Sequence, residues 1–205
     1  MKTLLALITV VAVGVDDAAA QQPLANAARS VDSVARITGY LAIKWGASRD
    51  DVVYWLGGEP DQEEAVGPDT TWLLFHGDVS HFLAARSEDR EILDRWSGKS
   101  ASLLVGVHTK NGFFRATVFV PWLDPAGCQQ AFMLMRAVVA GSNAPVTPVD
   151  AAFPAVPTLC DDFRAGRRTP REGPITFWHD RANGAIVEMS LRKTNVRIDY
   201  RIGAP

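Results

Sequence analysis

Two stretches near the C-terminus constrain the fold more than anything else in the chain. Ala185, Val187, Met189 and Leu191 alternate with Ile186, Glu188, Ser190 and Arg192. Val196, Ile198, Tyr200 and Ile202 then alternate with Arg197, Asp199 and Arg201. A strand turns successive side chains to opposite faces, so each stretch has one apolar face and one mostly charged face. That pattern belongs to an antiparallel sheet covered on a single side. With residues 174–180 ahead of them and Asn183-Gly184 as a turn, these stretches predict a three-strand meander. On the open face opposite charges would pair across strands, each pair contributing well under about 1 kcal/mol.

Upstream, residues 103–109 and 113–120 flank Lys110-Asn111-Gly112, and Asn-Gly predicts a type I′ hairpin. Simple alternation assigns Phe114, Ala116, Val118 and Val120 to one face, and Phe113, Arg115, Thr117 and Phe119 to the other. Residues 70–75 read as a strand, His76-Gly77-Asp78 as a turn and 79–85 as a returning strand. Residues 87–96 fit a short helix or a loop. Val31, Val34, Ile37, Leu41 and Trp45 have helical spacing within 24–45, closed by Gly46. Ser48 with Asp51 makes a capping box for a second helix, which Gly57-Gly58 and Pro60 stop. Asp124-Pro125 opens a third helix with Cys128, Ala131, Phe132, Met135, Val138 and Val139 as its buried stripe, ended by Gly141. The expected fold is α+β and two-layered: helices packed on one face of antiparallel sheet. The element order points to a single domain, 21–205, made of two similar αβ halves, 48–120 and 124–202.

The N-terminus predicts export. Met1-Lys2-Thr3 is short and positive, residues 4–15 are nearly all apolar, and Ala18-Ala19-Ala20 precedes Gln21 as a signal peptidase site would require. The apolar run spans about 18 Å as a helix, short of the roughly 30 Å bilayer core. Residues 1–20 therefore read as a signal peptide, and no later run reaches spanning length. The rest reads as soluble and periplasmic or secreted. Cys128 and Cys160 are the two cysteines, and in an exported chain they predict a disulfide. The formal net charge of −2 gives no long-range attraction to nucleic acid.

Gly46-Ala47-Ser48, Asp51-Val52, Leu56-Gly57 and Pro60, followed by Trp72 on a strand, resemble the motif of the SmpA/OmlA family. These are small lipoproteins of the outer-membrane assembly machinery, with a fold shared by the β-lactamase inhibitor protein. The resemblance covers about residues 46–75. It implies a periplasmic two-layer module that binds another protein and carries no catalytic residues.

Motifs of chemistry are scarce. The chain has no Gly-x-Ser-x-Gly elbow, no Ser-x-x-Lys and no His-Glu-x-x-His. Gly98-Lys99-Ser100 matches the end of a phosphate loop, but Leu93 stands where its first glycine belongs. His76, Asp78 and His81 carry ligand atoms, yet the two histidines have opposite strand parity. His179 and Asp180 are adjacent on a strand and point apart. No metal, cofactor or catalytic set is expected. Two charge clusters remain: Glu59, Asp61, Glu63 and Glu64 in one loop, and Arg164, Arg167, Arg168 and Arg171 in another. Either could steer a partner of opposite sign. Trp55, beside the acidic loop, is an interface anchor if exposed, although burial under the first helix is the expectation.

The function expected is therefore an exported, non-catalytic module binding another envelope or secreted protein: an inhibitor, an immunity-type partner or an assembly factor. Its contacts would be Trp55, the 58–68 loop and the open sheet face. An envelope protein binding polysaccharide or lipid through its arginine loop, and a hydrolase using His179 or the His76/His81 hairpin, are the alternatives.

Overall fold

The strand at residues 195–201 lies in the middle of the sheet, although the other described strands all precede it in sequence. The computed structural model describes residues 37–83, 90–94, 96–121, 127–143, 148–151, 156–167, 173 and 175–203. The expected signal peptide and most of the first expected helix lie outside the described residues. So do Trp122, Asp124-Pro125, Arg168 and Arg171.

Among the described residues, ten strands and five helices follow in chain order. They are β1 (Gly39–Tyr40), β2 (Ile43–Lys44), α1 (Arg49–Leu56), β3 (Gln62–Ala65), β4 (Thr70–Asp78), α2 (Val79–Phe82), α3 (Arg90–Asp94), β5 (Ser100–His108), β6 (Gly112–Pro121), α4 (Cys128–Asn143), β7 (Pro148–Ala151), α5 (Val156–Arg164), β8 (Ile175–Asp180), β9 (Ala185–Leu191) and β10 (Asn195–Arg201). β1 and β2 form a small hairpin. The other eight make one sheet in the order β3-β4-β5-β6-β10-β9-β8-β7, every neighbouring pair antiparallel. The fold is α+β, as expected. Two four-strand meanders, β3–β6 and β7–β10, are zipped into one sheet along the β6–β10 seam, where Val196, Ile198 and Tyr200 face Val120, Val118 and Ala116.

One face is dry. Leu73, Leu103, Val118, Ile198 and Val187 are fully buried there, with Val52 of α1, Val79 of α2 and Phe132, Met135, Val138 and Val139 of α4 in the same core. The buried stripe of α4 is the one its sequence spacing predicts, and the helix runs past Gly141 to Asn143. Cys128 and Cys160 form the expected disulfide, tying α4 to α5 with Cα atoms 5.7 Å apart. The capping box on α1 is present, and Gly57 closes that helix in the left-handed conformation.

Several expectations are corrected. Residues 37–46 are not helical. Gly39 and Ile43 approach so closely that a Cβ on Gly39 would sit 1.8 Å from the Ile43 carbonyl oxygen. The chain therefore turns there, with Leu41 at φ 53°. The acidic segment is not simply a loop, because Gln62–Ala65 pairs with β4 as an edge strand. The expected return strand after Asp78 is instead one helical turn, Val79–Phe82. The Asp78 carboxylate caps it by accepting from the Ser80 N–H. The β5–β6 turn is not type I′: Asn111 keeps a negative φ and Gly112 alone is left-handed, at φ 69°, after a three-residue loop. A register shift at Gly106/Val107 then exchanges the assignments of Phe113 and Phe114. Phe113 is buried and stacked on Trp45, with ring centroids 4.9 Å apart, while Phe114 lies on the opposite face.

Candidate binding face

The other face of the sheet carries the arginines. On the Gly106 side of the β5–β6 shift, its residues fall into rows across the strands. The central row runs Leu74, Leu104, Thr117, Asp199, Glu188, Phe177. One neighbouring row runs Trp72, Gly106, Arg115, Arg201, Ile186. The other runs Ser102, Phe119, Arg197, Ser190, Ile175. Asp199 is thus at the middle of the face, with an arginine on each side along its own strand and a third across the seam.

That position buries Asp199 completely. Its carboxylate accepts from Arg115 Nε at 2.7 Å and Nη2 at 2.8 Å, and from the Thr117 hydroxyl at 2.8 Å. Arg201 Nη1 donates at 2.7 Å and Arg197 Nη2 at 3.2 Å. Arg201 also reaches Glu188 with Nη2 at 3.0 Å. Burial alone would raise the Asp199 carboxyl. The hydrogen bonds from Arg115 and Thr117, with the charges of Arg115 and Arg197, outweigh it and hold the group below the ordinary carboxylate range. Arg201 is pushed up despite its own partial burial, because Glu188 and Asp199 both accept from it. This network replaces the weak surface pairs that alternation predicts.

An aromatic shelf flanks the network. Phe114 meets Trp72 edge-on at 5.8 Å, and Arg115 lies 5.9 Å above the Trp72 ring. Gly106 makes room for it: a Cβ there would be 2.7 Å from Phe114 Cζ and 3.0 Å from Trp72 Cζ3. Trp72, Phe114 and Arg115 are all half-buried, open to solvent on one side. No described helix lies over them.

No known protein family, curated protein or solved structure matches this chain. What the face can do must be read from its own chemistry.

The residues singled out in sequence fall elsewhere. Trp55 is half-buried against the core on the helix side, and its neighbour Tyr54, 64% exposed, is the outward aromatic of α1. Arg49 ties up Glu59 at 2.8 Å and Glu63 at 2.7 Å, and these contacts raise its own pKa. Asp61 accepts from the His76 backbone N–H at 2.6 Å and lies 3.2 Å from His76 Nδ1, which lowers its carboxyl. Glu64 sits at the rim of the open face, opposite Trp72. Arg167 binds Asp162 at 2.7 Å and Arg164 binds Asp161 at 3.1 Å. Glu59, Asp61 and Glu63 of the acidic segment, and Arg164 and Arg167 of the arginine loop, are therefore paired with their own neighbours. A shallow cleft beside the end of α1 is lined by Gly57, Gly58, His76 and His81 among others. Among the described residues, no group of three or more His, Cys, Asp or Glu is arranged to hold a metal ion. His179 is exposed on the open side, while Asp180 turns inward and accepts from the N–H groups of Ile37 at 3.3 Å and Ala182 at 3.0 Å.

Sequence reasoning named the open face as a contact but not Trp72, Phe114, Arg115, Arg197, Asp199 or Arg201 within it. One signal was available: an acid between two arginines at i±2 on one strand, the strand itself apolar enough on its other face to be central.

Proposed function

We propose that this chain is an exported, non-catalytic module that binds another protein on the open face of its sheet. The observation that carries this reading is the half-exposed set of Trp72, Phe114 and Arg115, held in place by Asp199 and Gly106. Tryptophan and arginine are the residues that most often dominate binding energy at protein interfaces. Fixing them before contact reduces the ordering cost of association. Export is supported by the Cys128–Cys160 bridge, since disulfides persist in oxidising compartments. Among the described residues no helix is long and apolar enough to cross a membrane.

The test is affinity capture from envelope extract with the wild type, Trp72→Ala and Tyr54→Ala. A protein retained by the wild type and by Tyr54→Ala, and lost with Trp72→Ala, is the expected result. Loss with Tyr54→Ala alone would move the contact to the helix side and refute the proposal.

A further inference from the structure

Resting on that reading, we infer the chemistry of the partner: an acidic protein segment whose carboxylate seats against Arg115 and Arg201 while an apolar neighbour lies on Trp72 and Phe114. Arg115 and Arg201 stand directly opposite each other on β6 and β10. Like charges so placed repel unless an anion is shared between them. Asp199 supplies that anion from beneath, but its side chain is only 1% exposed, whereas those of Arg115 and Arg201 are 31% and 33% exposed. Three arginines against Asp199 and Glu188 leave one positive charge in excess, and the guanidiniums form the outer layer. A partner therefore meets positive charge at the centre of the face.

Two further features sharpen the match. Arg197, its side chain 20% exposed, adds a third guanidinium to the same face beside Asp199. Glu64 stands at the rim opposite Trp72, on the far side of the aromatic shelf from the arginines. It repels a carboxylate approaching from that edge. The acid must then fall on the β6–β10 side and its apolar neighbour on Trp72 and Phe114, which fixes the orientation of the segment. Arg115 holds Asp199 through Nε and Nη2, which leaves its Nη1 side to donate to a second carboxylate, while Arg201 spends Nη1 on Asp199 and Nη2 on Glu188 and adds mainly charge.

The probe is a random copolymer of glutamate and tyrosine, added to the full chain, with a lysine–tyrosine copolymer and polygalacturonate beside it. Binding is read by Trp fluorescence and by the arginine Nε–H resonances. The glutamate copolymer should bind saturably, weaken with added salt, and weaken at least tenfold with Trp72→Ala and with Arg201→Gln. Because Arg201→Gln also loosens Asp199, Arg201→Lys is measured too; it keeps the charge without the fork and should weaken binding about threefold. Equal binding of the lysine copolymer, or affinity unchanged in all three variants, overturns the inference. Preference for polygalacturonate also overturns it, in favour of an acidic polysaccharide. If Trp72→Ala abolishes capture of an envelope protein but the glutamate copolymer does not bind, the acidic segment is wrong and the docking face stands. If capture survives Trp72→Ala, the docking face itself is wrong.

Discussion

Asp199→Asn removes the negative charge from beneath three guanidiniums while keeping the side chain's shape. The carboxylate accepts five hydrogen bonds, four of them from arginine. An amide offers a single acceptor oxygen, and its NH₂ group would face donors. Removing one partner of a buried ion pair typically costs about 3–5 kcal/mol, because the remaining charge is stranded. Here the stranded charges are side chains 20% to 33% exposed, which water can partly solvate. The expected loss is therefore at or below the bottom of that range, about 2–3 kcal/mol, or a fall in melting temperature of roughly 5–10 °C for a domain of this size. Urea unfolding followed by Trp fluorescence and by far-ultraviolet circular dichroism measures it. Arg115→Met should cost less than Asp199→Asn, and the double substitution less than the sum of the two, since each removes the other's reason to be charged. A loss below about 1 kcal/mol for Asp199→Asn, or strict additivity, would show that the network is only a set of surface pairs.

Three other outcomes are expected. Asp199 titrates below its unfolded value, so the folded chain binds fewer protons there; its stabilisation is complete above about pH 4 and is lost as pH falls through the lowered folded value. The acid limb of the stability–pH curve should accordingly flatten in Asp199→Asn. Cys128→Ala/Cys160→Ala opens a link between residues 32 apart and should cost about 3–4 kcal/mol by equilibrium unfolding. Gly106→Ala places a methyl against Phe114 and Trp72, at the tips of side chains that can swing outward. It should cost about 1 kcal/mol while changing the Trp72 emission and weakening partner capture; unchanged emission would mean the two rings are not held by that glycine.

The strands with strong alternation were legible because one face is dry: β9 and β10 are bounded within a residue or two of where their sequence places them. The disulfide and the Ser48 cap were legible because each rests on local chemistry or on a pairing with one solution. Both edges of the sheet were not. β3 is Gln62-Glu63-Glu64-Ala65, exposed throughout, and β7 opens on Pro148. Charges and proline are what an edge uses to discourage further pairing, so the residues that make a good edge erase the signal of a strand. The 37–46 hairpin was hidden by apolar spacing that fits a helix as well as it fits a turn packed on the core. The arginine–Asp199 network on the open face was invisible for a different reason. Arg115 and Asp199 are 84 residues apart, and their meeting depends on the order of strands, which no local pattern encodes.

That order has a kinetic consequence. The seam strand, Asn195–Arg201, is synthesised after the other seven described strands of its sheet, and until it arrives both β6 and β9 present an unsatisfied edge. A chain cut short before Asn195 would be left with two half-sheets that are templates for association with other chains. Closing the gap requires contacts between residues far apart along the chain, which are entropically slow to form. Nascent molecules must therefore wait for residues 195–201 before becoming safe from one another, and truncation ahead of Asn195 should yield aggregates where an internal deletion in an exposed turn would not.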